Sequence, residues 1–118
     1  MDDLPALEKD AAERIVREVD FQHRLIAGYV HERAGMMQLA LYSLEEVFAL
    51  LNTAFPQINL GELERWIRTV IGDTALADRV RETVALSENR HQSISRIRDL
   101  VGLRLVQCRK ACALYTAF

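Results

Sequence analysis

The sequence lacks any run of about 18 apolar residues, so no segment is expected to span a membrane. Its N-terminal stretch is acidic and has no apolar core, which excludes a signal peptide and makes the cytoplasm the expected location. Only two Pro and five Gly are present, so few residues interrupt helices. Half of the residues are hydrophobic and 27% are charged, which is typical of a globular chain. We therefore expect residues 1–118 to form a single domain.

Common catalytic motifs are also absent. There is no phosphate-binding glycine loop and no Gly-x-Ser-x-Gly elbow. The two cysteines, Cys108 and Cys112, lie four residues apart, and disulfide geometry disfavours a bond between them inside one helix. We interpret both as small hydrophobic residues of the core. These absences favour a protein that is not an enzyme, without deciding the matter, and no cofactor is expected.

The net charge of −2 hides an asymmetry between the two ends of the chain. Residues 1–20 carry seven acids and three bases, whereas residues 87–118 carry six bases and two acids. On a helical wheel the C-terminal cations scatter around the axis, and a phosphate-binding surface needs clustered charge. Nucleic acid is therefore not the expected partner. We expect the acidic and basic ends to attract each other, within one chain or across a dimer.

The first third of the chain contains one predicted helix and one ambiguous segment. Apolar residues recur at three- and four-residue spacing between Ile15 and Val30, which predicts a helix over residues 6–33. Gly28 lies inside this run and weakens the prediction near its end. Residues 34–42 are ambiguous, because their apolar residues also alternate as in a strand. We favour a helix there and keep a strand as the alternative.

Ser43 provides a clear helix-start signal. Its hydroxyl can accept a bond from a free backbone N–H, and Glu46 can reach back to complete a capping box. A helix is therefore predicted to begin at residue 44. The Phe55–Pro56 pair is expected to end it, because the residue before Pro avoids helical angles.

Asn59 and Glu62 repeat the capping-box spacing and predict a second helix start. Gly72 suits the left-handed C-terminal position of that helix, and Asp73 can cap the next one. The residues expected to be buried in these two helices are Leu63, Trp66, Ile67, Val70, Leu76, Ala77, Val80 and Val84.

The longest amphipathic run extends from Ile94 to Tyr115, and its apolar residues follow a seven-residue repeat typical of helix packing. Leu103 and Val106 lie off this face, so we expect a second subunit to cover them. The prediction is an all-α, single-domain bundle of four or five helices with a long C-terminal helix, assembled as a homodimer. Leu103→Glu together with Val106→Glu is expected to dissociate the dimer without unfolding the monomer. The repeat comprises Ile94, Val101, Leu105, Cys108, Cys112 and Tyr115.

Two segments carry a family resemblance: SLEEVFALL (residues 43–51) and LERWIRTVIGDTALADRV (residues 63–80). They resemble a Ser-Leu-x-Glu-Leu helix start and a Trp-Ile-x-x-Val-x-Gly-Asp-x-x-Leu-Ala segment in an uncharacterised family of small prokaryotic domains. Members often carry a His-Val-Asn stretch before the Trp, and residues 57–61 here lack that His. The resemblance implies a helical module without established activity. The matching positions are Ser43, Leu44, Glu46, Trp66, Ile67, Val70, Gly72, Asp73, Leu76 and Ala77.

Two carboxylate–imidazole pairs have a spacing found in metal-binding bundles. Asp20 and His23, like Glu88 and His91, lie one helical turn apart, and such bundles add carboxylates from other helices. This pattern supports iron, manganese or zinc as alternative cofactors. The more ordinary interpretation is that each His is a hydrogen-bonded residue outside any metal site. The additional ligands would be Glu45, Glu46 or Glu64.

Arg104 projects onto or near the apolar face of the last helix, and three interpretations stay open. It can snorkel to solvent, because its long stem tolerates apolar surroundings. It can pair with a carboxylate of the acidic first helix, such as Glu13 or Glu18. It can instead bind an anionic ligand in an internal pocket near Trp66.

Together these patterns favour a non-enzymatic protein-interaction, regulatory or assembly module that forms a homodimer. A further protein partner is expected, and the sequence does not identify it. The alternative function is a metal-binding helical bundle, lined by carboxylates and histidines, with a redox or storage role.

Overall fold

The computed structural model describes residues 4–116, in which five α-helices accompany a three-stranded antiparallel sheet. The expectation of an all-α bundle is therefore wrong, and the protein is a mixed α and β structure. No helix in this range is long and apolar enough to cross a membrane. In chain order the elements are α1 (Lys9–Val16), a 3-10 turn (Phe21–His23), β1 (Leu25–His31), β2 (Gly35–Leu41), α2 (Leu44–Leu51), β3 (Pro56–Gln57), α3 (Leu60–Trp66), a π-helical turn (Ile67–Ile71), α4 (Thr74–Leu86) and α5 (Arg90–Thr116).

The β-hairpin formed by β1 and β2 replaces the second half of the helix predicted over residues 6–33. The apolar residues there have a period of two rather than 3.6, because buried Leu25 and Ala27 alternate with exposed Ile26 and Val30. Only one face of β1 meets the core, so the same residues that suggested a helical stripe lie on two opposite faces of a strand.

Residues 34–42 contain β2, so the helix that we favoured there is wrong and the strand alternative is correct. Two glycines permit the hairpin. Gly35 follows the turn with φ of 77°, a left-handed conformation that a side chain would disfavour. A Cβ on Gly28 would lie 2.5 Å from the carbonyl oxygen of Met37, so only glycine allows the two strands to approach this closely.

The predicted start of α2 is confirmed, with the Glu46 N–H donating to Ser43 Oγ over 3.2 Å. The Glu46 carboxylate accepts from the backbone N–H of Tyr42, one residue before the position expected in a capping box. The helix ends at Leu51, before the predicted Phe55–Pro56 stop, and Pro56 instead begins the short strand β3.

The turn between α3 and α4 also follows the sequence signals. Asn59 Oδ1 accepts from the Glu62 N–H at 2.9 Å, and Asp73 Oδ1 accepts from the Leu76 N–H at 3.1 Å. Gly72 adopts φ of 84°, as expected for a left-handed helix end. The π-helical turn before it was not predicted. Val84 is 41% exposed, so its predicted burial is wrong.

Helix α5 lies at the centre of the fold, with α1, α2 and α4 packed against it. Helix α4 ends at Leu86, and α5 begins at Arg90, before Ile94 where the predicted amphipathic run starts. The side chain of Tyr115 lies outside the described residues. Along the predicted seam Val101, Leu105 and Cys108 are buried, whereas Ile94 and Cys112 are half-buried.

Candidate interaction surface

The turn end of the hairpin is exposed, and its strands become buried only towards the other end. Its base is anchored because Leu25 and Leu41, paired across the strands, are both buried. Towards the turn the burial declines, and β2 is exposed from Gly35 through Gln38. Apolar side chains therefore reach solvent on both faces of the hairpin. Exposed apolar side chains that form a contiguous patch are typical of interaction sites.

Strand β2 forms one edge of the sheet, whose strand order is β2-β1-β3. Within residues 4–116 no strand pairs with its outer side, so backbone N–H and C=O groups face solvent along that edge. The strand carries no charged residue and no Pro. Natural edge strands usually carry such residues because they prevent unwanted pairing. The outer edge of β2 is therefore open to another strand.

An apolar groove of about 290 Å³ runs between this strand and α2. On the sheet side the hairpin contributes Tyr29, Leu39 and Leu41, and on the helix side α2 contributes Ala49 and Leu50. We define the hairpin surface as the open edge of β2, this groove and four solvent-facing apolar residues. These residues are Val30, Met36, Met37 and Phe55.

The turn of the hairpin is held by an imidazole. The backbone N–H groups of Arg33 and Ala34 both donate to His31 Nδ1, each over 3.2 Å. These two bonds brace the turn that leads into the edge strand β2. His31 was not among the predicted site residues, and its position before a Gly-containing turn was the signal available in the sequence.

The predicted metal candidates Asp20 and His23 contact each other in the 3-10 turn. His23 Nδ1 lies 2.5 Å from Asp20 Oδ1, and the same carboxylate accepts from the His23 N–H. The pair borders a polar cleft of about 490 Å³, which Arg17 and Glu18 also line. Arg17 is held there by the π-helical turn, because its guanidinium donates to the carbonyl of Val70 over 2.7 Å.

The other predicted pair lies at the beginning of α5. Glu88 is exposed, and its backbone N–H donates to Gln92 Oε1 over 2.7 Å. His91 is exposed and lines a separate cavity of about 140 Å³ with Arg98. Among residues 4–116 no group of three or more His, Cys, Asp and Glu residues is placed to hold a metal ion. Glu64, one of the additional candidate ligands, instead bonds Arg68 at 3.0 Å.

Arg104 is only 3% exposed, and its partner is Asp73 rather than Glu13 or Glu18. Its Nη1 also donates to the carbonyl of Pro5 over 2.7 Å. These bonds join the N-terminal segment and the cap of α4 to the centre of α5. The arrangement is a structural ion pair whose donors face protein acceptors, so it offers little to an external anion.

Leu103 and Val106 are 41% and 40% exposed, on the side of α5 away from its buried residues. Their position off the seam therefore agrees with the seven-residue pattern. Trp66, by contrast, is buried and donates its indole N–H to the carbonyl of His23 over 2.7 Å. That bond ties α3 to the 3-10 turn beside the polar cleft.

Comparison with known proteins adds no relative. No family model matches the chain, and neither a curated protein nor a solved structure is significantly similar to it.

Proposed function

We propose that this chain is a non-enzymatic interaction and assembly module that works as a homodimer. The observation that carries the proposal is the open, uncharged edge of β2. A strand edge supplies regularly spaced backbone hydrogen-bonding groups, and neighbouring side-chain pockets add specificity. The adjacent groove of about 290 Å³ provides such a pocket.

The edge differs from the surface of an ordinary monomer in two respects. Met36 is 61% exposed although it is fully apolar, and no charged residue interrupts the strand between Gly35 and Leu41. An edge of this kind pairs with other chains unless something covers it. A module that assembles through the edge removes this liability, because the partner satisfies the backbone groups.

Native mass spectrometry of the purified chain tests the proposal. The expected species is a dimer of twice the 13.5 kDa chain mass, in proportions that increase with protein concentration. A chain that stays monomeric up to its solubility limit would contradict homodimerisation. Additional mass equal to one or two iron, manganese or zinc ions per chain would support the metal-binding alternative instead.

A further inference from the structure

We propose that the occupant of the hairpin surface is a second copy of this chain, paired antiparallel along β2 with its two-fold axis at Gln38. The two sheets then join into one continuous six-stranded sheet, three strands from each copy. This inference rests on the proposed homodimeric function and names its interface.

The register about Gln38 follows from the strand itself. Gln38 is the central residue of Gly35–Leu41, so pairing about it uses the whole edge of both copies. A two-fold axis places each residue opposite its mirror position. Met37 then lies across from Leu39 of the second copy, and Met36 across from Ala40. Each pair joins a flexible thioether to an aliphatic side chain, and flexible Met fills irregular gaps between strands.

The groove beside Leu39 receives a side chain in this arrangement. Leu39 and Met37 lie on the face of the hairpin that carries buried Leu25 and Ala27, because they alternate along β2 with Gln38. Met37 of the second copy is therefore directed towards the groove that Leu39 lines against α2. The apolar groove and the exposed Met37 are thus complementary parts of one interface.

The absence of charge along β2 is compatible with pairing between two identical strands. The turn before the strand carries Glu32 as well as Arg33, and the acidic first turn of α2, with Glu45 and Glu46, follows it. The charges of Glu32 and Arg33 offset each other, so the turn brings no net charge to the α2 end of the second copy. Because the strand itself is uncharged, self-pairing creates no like-charge contact within it.

Charge substitution at the two-fold axis tests this interface. Gln38 is exposed, so Gln38→Lys should leave the monomer folded, yet two ammonium groups would face each other across the axis. Gln38→Glu should act in the same way. Each variant alone should raise the dissociation constant by about tenfold or more, and an equimolar mixture should form the heterodimer. With one variant uniformly labelled with 15N, native mass spectrometry distinguishes the three species by mass, and circular dichroism checks the fold.

Matched controls separate this interface from other surfaces. Gln57 is exposed on β3, the opposite edge of the same sheet, so Gln57→Lys should leave the dimer intact. The double change Leu103→Glu and Val106→Glu should also leave it intact, because these residues lie on α5. If only that double variant dissociates, the interface predicted from the sequence is correct and β2 pairing is wrong.

The remaining outcomes are equally decisive. A monomeric wild-type chain would overturn both the homodimer and its interface, leaving the edge to an extended segment of another protein. A dimer insensitive to both Gln38 substitutions would overturn β2 pairing while the homodimer stands. If each variant dissociates and the equimolar mixture forms no heterodimer, the antiparallel register about Gln38 is wrong.

Discussion

Arg104 and Asp73 form a two-pronged ion pair in the interior, with Nε 2.7 Å from Oδ2 and Nη2 3.0 Å from Oδ1. The two side chains are 3% and 2% exposed. Asp73 also caps α4 through the Leu76 N–H. One carboxylate therefore serves as a helix cap and as the counter-ion of a buried guanidinium, so both functions depend on the same residue.

Asp73→Asn should separate these two functions. Asn caps helices about as well as Asp, so any loss of stability in this variant reports the missing charge that faces Arg104. A buried guanidinium left without its counter-ion costs about 3–5 kcal/mol of folding free energy. Urea unfolding followed by circular dichroism measures the difference. Combining the change with Arg104→Met should recover part of the loss, since the uncompensated charge is then gone. A loss below about 1 kcal/mol for Asp73→Asn alone would contradict a strong ion pair.

The sequence signals that predicted local structure correctly were all short in range. Ser43, Asn59 and Asp73 each accept a bond from a backbone N–H three residues ahead, so both partners are visible in one segment. Gly72 likewise ends a helix through its own φ of 84°. Such features depend on few neighbours, and the sequence therefore indicates them directly.

The signals that failed involve residues far apart in the chain. Arg104 and Asp73 are separated by 31 positions, and nothing local marks one as the partner of the other. The β1 strand of the hairpin was wrongly predicted as a helix for a related reason, because Ile26 and Val30 satisfy a helical spacing by coincidence. Only pairing with β2 shows that they belong to the outer face of a strand. The hairpin surface was therefore not predicted, although the alternation of apolar residues over 34–42 kept a strand as the alternative there.

Gly28→Ala should destabilise the hairpin. The added methyl would meet the Met37 carbonyl at 2.5 Å, a contact that only a shift of β2 can relieve. We expect a loss of about 1–3 kcal/mol, typical of overpacking at a tight contact. Faster amide hydrogen exchange confined to β1 and β2 would locate the effect. Gly61→Ala is the control, since that glycine is exposed in α3, Ala is the better helix former, and the nearest atom to a Cβ there is Asn59 Oδ1 at 3.3 Å rather than a backbone atom at 2.5 Å. Equal effects at both positions would rule out the close approach as the cause.

Gly102→Ala should also be destabilising, against the usual preference of helices for Ala over Gly by about 1 kcal/mol. A Cβ at Gly102 would lie 2.9 Å from the ring of Phe48, which packs from α2 onto α5. In a Phe48→Leu background Gly102→Ala should instead be stabilising, because the smaller side chain leaves space for the methyl. A double-mutant cycle by thermal or urea unfolding measures this coupling. If Gly102→Ala is stabilising in the wild-type background, the Phe48 ring moves aside and its contact with position 102 does not exclude a methyl group.

Cys108 should be a protected thiol whose ionisation opposes folding at high pH. Burial raises its pKa from 9.0 to about 11, although nearby Arg104 acts in the opposite direction. At neutral pH the thiol is protonated in both folded and unfolded chains, so it adds no pH dependence there. Above about pH 9 the unfolded chain loses this proton while the folded chain keeps it, so the free energy of unfolding should fall as pH rises towards 11.

Two measurements check this expectation for Cys108. Alkylation of Cys108 at pH 8 should be far slower in the native protein than in urea, because the thiolate is the reactive form. Peptide mass spectrometry measures the extent of modification at Cys108. Cys108→Ala should lower stability at neutral pH through the lost packing, yet flatten the decline between about pH 9 and 11. The same decline in both proteins would assign the high-pH loss to another group, and fast native alkylation of Cys108 would mean that the site opens readily to solvent.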